Sequence, residues 1–139
     1  MCLERIGPLQ EADHDIVCYK VLEITPRIEF FGFLFGYNLK SPYMFSKYEL
    51  GNTYHSKLVP NATLFGPVVE RGLHTFADWQ EARNFTVSGK YDRIIVKCII
   101  PTGAKYYKGF FTTKESYASS KLKLIEIMGN GKYVLNKYK

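Results

Sequence analysis

The apolar positions of this chain fall into short runs rich in Val, Ile, Tyr and Phe, punctuated by Gly, Pro and Asn, which is the pattern of strands joined by turns. Ile16-Val-Cys-Tyr-Lys-Val-Leu-Glu-Ile24 predicts a first strand that stops before Pro26. Arg27 to Tyr37 predicts a second, with Gly32 and Gly36 as sites of bulges or close approach. Ser41-Pro and Gly51-Asn bracket a loop that leads into a short strand near Thr53–Leu58. Gly72 to Phe76 predicts a strand that runs directly into a helix: Asp78 and Glu81 have capping-box spacing, and Trp79, Ala82 and Phe85 recur at helical intervals. Arg93 to Ile100 is an apolar run stopped by Pro101-Thr-Gly103, as in a central strand buried on both faces. Tyr117 to Met128 predicts a strand in which Leu122 and Leu124 alternate before Ile125 and Ile127, and Gly129-Asn-Gly131 then turns it into Lys132–Asn136 as a terminal hairpin.

No repeat and no linker composition interrupts the chain, and its 139 residues suit one domain. The expected organisation is an N-terminal arm at 1–15, polar and marked by Gly7-Pro8, followed by a single compact α+β domain over 16–139. That domain is expected to be strand-rich, with a mixed or antiparallel sheet and one clear short helix. The aromatic fraction of 16% favours pleated strands in the same way.

The longest apolar run, Phe30–Tyr37, falls far short of the ~20 residues that a bilayer requires, and Met-Cys-Leu-Glu-Arg lacks a secretory layout, so the expected location is cytoplasmic with no membrane partner. Cys2, Cys18 and Cys98 have no metal-type spacing and read as free thiols, and Cys18 and Cys98 fall in apolar strands, where burial makes a thiol inert.

Charge divides unevenly. Residues 1–89 carry 8 Lys/Arg against 10 Asp/Glu, whereas residues 90–139 carry 11 against 3. The late lysines are interleaved with aromatics such as Tyr106, Tyr107, Phe110 and Tyr117. Two readings stay open: a surface that binds anions or nucleic acid, with rings stacking on bases, or strands that turn lysines outward for solubility and to blunt edges.

The chemical motifs are few. His14, His55 and His74 share no ligand spacing, so no metal site is expected; no phosphate loop occurs, and carboxylates are sparse after residue 90. His74 stands out because it precedes a helix N-terminus, where backbone N–H groups favour an anion. The binding set drawn from these features is Gly72, His74 and Thr75 facing Lys105, Tyr106 and Lys108, with a nucleotide or nucleotide-derived signal as the expected ligand and no turnover. An acidic protein or nucleic acid on the basic C-terminal third is the alternative.

The order Gly72-Leu-His-Thr-Phe-Ala-Asp78, Ala82 on the next helix, the strand Ile94–Ile100, Gly103 and a late Ser116-Tyr-Ala-Ser-Ser strand resembles the central and distal part of an ADP-ribosyltransferase domain. That resemblance implies an α+β fold with a cleft, NAD as cofactor, Tyr19 and His74 positioning nicotinamide, and Glu115 stabilising the ribosyl cation. The chain departs from that pattern where Cys18-Tyr19-Lys20 replaces the first-strand Arg or His-Gly pair, and Glu115 stands near the expected glutamate position without occupying it. Tyr19-Lys20-Val21, Tyr48-x-x-Gly51, Gly72-Leu-His-x-Phe76 and Ala118-Ser-x-Lys121-Leu-x-x-Ile125-x-Ile127 also resemble small uncharacterised proteins of bacteriophages and gut bacteria, across most of residues 16–128. A phage source would place the chain in the host cytoplasm.

Overall fold

The computed structural model describes residues 3–28, 34–41, 47–64, 66–86, 92–129 and 131–136. In chain order the strands are β1 (Leu3–Glu4), β2 (Gln10–Glu11), β3 (Ile16–Ile28), β4 (Leu34–Lys40), β5 (Lys47–Tyr48), β6 (Thr53–His55), β7 (Val59–Thr63), β8 (Gly66–Arg71) and β9 (Leu73–Phe76). Helix α1 (Trp79–Arg83) follows, then β10 (Arg93–Ile100), β11 (Lys105–Phe111), β12 (Lys114–Ser119), β13 (Lys121–Ile127) and helix α2 (Gly131–Asn136). The strands form one curled antiparallel sheet. The expected strand at Arg27–Tyr37 is seen only at its ends, as the close of β3 and the opening of β4; residues 29–33 lie outside the described residues.

The curl follows from connectivity. In the order β6-β13-β10-β3-β9-β12-β11-β1-β8-β7, β12 and β13 stand four places apart, which is about 19 Å across a flat sheet. Only Ser120 lies between them, and the step from Ser119 to Lys121 spans about 7 Å at most. The sheet must therefore bend until these ends meet. Ser120 holds both sides there: its N–H donates to the Lys105 carbonyl (2.9 Å), its hydroxyl accepts from the Lys105 N–H (3.1 Å), and its carbonyl accepts from the Ser56 N–H (2.9 Å). The Tyr117–Met128 segment, expected as one strand, is thus two strands hinged at Ser120.

Strand alternation assigns the faces. On the inner face, Cys18, Leu22 and Ile24 of β3 meet Ile94, Val96, Cys98 and Ile100 of β10 and Leu122 and Leu124 of β13 as the main core. On the outer face, Tyr19, Val21, Phe76 and Ile95 are covered by Trp79, Ala82 and Phe85 from α1 and its end. A bulge in the β10–β13 pairing between Lys97 and Cys98 shifts the register, so that Ile127 turns inward with Leu124 while Ile125 is left exposed. That bulge accounts for the change of phase read between Leu124 and Ile125.

The opening segment expected as an arm is tied to the sheet. Leu3 is fully buried, β1 bridges β8 and β11, and β2 pairs with β11. The terminal hairpin is corrected: Gly131–Asn136 forms α2. The helix seats Leu135 in the main inner core. Gly131 is also pressed so closely on Ile127 that a Cβ would lie 2.4 Å from its Cγ2.

Close approach is also what fastens β1. A Cβ on Gly109 would stand 2.6 Å from the Glu4 carbonyl oxygen and 3.0 Å from Leu3 and Ile6 carbons. Gly109→Ala should therefore push β1 off β11 and cost about 2 kcal/mol, in the range of overpacked cores. Urea unfolding measures the loss, and faster hydrogen exchange at the Gly7 amide, which donates to the Lys108 carbonyl at 3.0 Å, would localise it. An unchanged midpoint would show that β1 yields without cost.

Candidate functional site

The strand-to-helix junction forms where it was expected, but it is packed rather than open. All four residues of β9 are buried between β3 and β12. A Cβ on Gly72 would lie 2.8 Å from Leu58 Cδ2, so this glycine serves packing. Thr75 is fully buried. The His74 ring shares a 3.0 Å hydrogen bond between Nδ1 and the Gly72 carbonyl, and its Nε2 has no partner among the described residues. Burial first, and the Lys20 charge second, hold its pKa at about 4. The imidazole is neutral at pH 7 and offers an anion no charge.

Helix α1 is only five residues long, and Asp78 caps it by accepting from the Gln80 N–H at 2.8 Å. A carboxylate already occupies the place an anion would take. Glu81, the expected second half of a capping box, instead pairs with Lys114 at 2.7 Å.

The predicted lysine face lies on β11, separated from β9 by β12. Tyr106 donates its hydroxyl to Gln10 (2.9 Å) and meets Tyr117 edge-on, and Lys108 pairs with Glu115 at 2.6 Å. The Glu115 hydrogen bond raises the Lys108 pKa. Lys105 is exposed and, by alternation, points to the face opposite Tyr106 and Lys108. Gly72, His74 and Thr75 are therefore not brought together with Lys105, Tyr106 and Lys108.

Nor do Tyr19, His74 and Glu115 converge. Tyr19 stands directly opposite Phe76, two residues from His74, which puts Tyr19 and His74 on one face. Phe76 is opposite Ser116 on its other side, so Glu115, next to Ser116, points to the other face.

What the fold does assemble is a cleft of about 350 Å³ along α1. Trp79, Arg83 and Thr86 form one wall; Arg93, Ile94 and Ile95 of β10 and Met128 with Gly129 and Gly131 form the rest. Arg93 is fixed and neutralised by Glu23 at 3.1 Å and by the Phe85 carbonyl at 3.0 Å. Arg83 is exposed, lies 5.2 Å from the centre of the Trp79 ring and meets no carboxylate among the described residues. The cleft thus offers a flat ring, apolar walls and one guanidinium with its donors unclaimed by an acid.

Sequence reasoning placed Trp79 on the packing face of the helix and passed over Arg83. The helical offset of four between them was the available signal, since residues so spaced are neighbours on a helix. Arg93 and Met128 reach the cleft only through the β3–β10–β13 pairing.

The buried imidazole carries a pH signature. Its folded pKa of about 4 lies below the ordinary 6.5, so the unfolded chain takes up the proton first as pH falls. Its contribution is complete above about pH 6.5 and is lost as pH drops towards 4, a loss of about 3 kcal/mol. Urea midpoints at pH 7, 5.5 and 4.5 should fall more steeply for the parent than for His74→Gln, which retains a hydrogen-bonding amide without a proton to gain. Parallel curves would exclude His74 as the source of acid sensitivity.

No family model, curated protein or solved structure matches this chain.

Proposed function

We propose that this chain is a non-catalytic binding domain for a small anion that carries a flat ring, a nucleotide or nucleotide-derived signal, held in the cleft beside α1. The observation that carries this reading is the pairing of Trp79 with Arg83, which meets no carboxylate among the described residues, at the mouth of a concave space. At 350 Å³ the cleft is at the small end of ligand pockets, which run from about 300 to 1,000 Å³, and this favours a single nucleotide over a dinucleotide. The ring would lie against Trp79, with Ile95 and Met128 supplying apolar contact, and the phosphate would take the guanidinium of Arg83. The Thr86 hydroxyl already donates to the Arg83 carbonyl at 2.7 Å and braces the end of the helix.

Trp79 is the only tryptophan of the chain, so its fluorescence reports on this site directly. Titration with mono- and cyclic nucleotides, ADP-ribose and NAD should quench or shift that emission for at least one mononucleotide, with a matching rise in melting temperature. Arg83→Ala should weaken binding at least tenfold, as loss of a charged hydrogen bond does. No change in emission and no thermal shift at about millimolar ligand would overturn the proposal.

A further inference from the structure

Lys20 is a buried lysine. It points to the inner face from the middle of β3, only 6% exposed, at a fork in the sheet. The same edge of β3 pairs with β9 at Tyr19 and with β4 from Glu23 onward, so the strands beside it part around Lys20. Its Nζ donates to the His74 carbonyl at 2.9 Å and lies 5.2 Å from the centre of the Tyr48 ring. No Asp or Glu among the described residues pairs with it. An ammonium has three donors, and one acceptor satisfies one of them.

The surroundings add donors, not counter-charge. Thr75, which follows His74 and is fully buried, has a hydroxyl that no oxygen or nitrogen partner claims among the described residues, only the Cys18 thiol beside it. The Cys18 thiol neighbours both the Thr75 hydroxyl and the Lys20 charge, and burial pushes its pKa up to about 12. Cys98, directly across from Cys18, is raised further, again by burial. Both thiols are therefore protonated and neutral at pH 7. Burial pushes the Lys20 pKa down, so with no acid beside it among the described residues the side chain either gives up its proton or keeps it through a bound anion.

We infer that the fork around Lys20 is an internal site for a small inorganic monoanion of halide size, bound by the Lys20 ammonium and the Thr75 hydroxyl. The class follows from the groups present: one positive charge calls for one negative charge, and the completely buried Cys18, Thr75 and Cys98 nearby favour an ion without bulk. Lys20 and Thr75 line no part of the α1 cleft, so this site does not depend on the proposed nucleotide site.

Unfolding midpoints in sodium chloride, sodium bromide and sodium gluconate at equal ionic strength test the inference. The parent should gain a saturable thermal shift of several degrees in chloride or bromide over gluconate. Lys20→Met should abolish that halide dependence, Thr75→Val should weaken it several-fold, and Arg83→Ala in the cleft should leave it intact. Should Lys20→Met fail to fold, bromide anomalous diffraction of the parent gives the same answer, with a peak expected within hydrogen-bond distance of Lys20 Nζ. Equal midpoints in all three salts, an undiminished halide shift in Thr75→Val, or no bromide peak at Lys20 would overturn the site.

Discussion

The step across Ser120 is the constraint on which the rest of this structure depends. One residue separates two strands that lie four places apart in the sheet, and the chain's reach is too short for any flat arrangement. Curling the sheet gives it an inside, and the apolar residues of β3, β10 and β13 close into one core there. The same closure removes free edges from the middle of the molecule, since β13 finds β10 on one side and β6 on the other. The chain beyond Gly129 turns into α2, which places Leu135 in that core.

A curled sheet also has an outside that needs cover. Helix α1 is too short to be stable on its own, and it persists because Ala82 is fully buried and Trp79 and Phe85 pack over Phe76, Val21 and Ile95. The stacked ring of Phe85 on Phe76, 4.9 Å between centres, pins the helix end. Covering only part of the outer face leaves a recess where the helix meets the ends of β10 and β13. Packing and the candidate cleft therefore have one origin.

Charge is distributed by the same geometry. Lys97, Lys108 and Lys114 each stand within reach of a carboxylate, Glu126, Glu115 and Glu81 respectively, while Lys121 and Lys123 alternate outward with Leu122 and Leu124 inward. These exposed pairs add little to stability, and they leave the basic third less able to grip a polyanion than its net charge suggests. Two cations stand apart by position, Arg83 at the cleft mouth and Lys20 in the interior, each without an acid among the described residues.

Local chemistry was legible in the order of residues. β-branched and aromatic residues marked β3; the short run from Gly72 to Phe76 before a helix signal marked β9; Asp78 marked the start of α1 through its cap; and the continuous apolar character of Arg93–Ile100 marked β10 as a strand covered on both sides. These features depend on neighbours within a few positions, where propensity and capping act. What only the tertiary structure decided depends on which distant segments meet: the split at Ser120, the core place for Leu135 where a hairpin was expected and α2 forms, the docking of the first residues onto β8 and β11, and the placing of Glu115 on the face away from His74. The burial of Lys20 belongs with these. In the sequence it sits in an alternating strand like any outward lysine, and only a sheet that curls and forks around it turns that position inward, because burial is a property of closure rather than of local order.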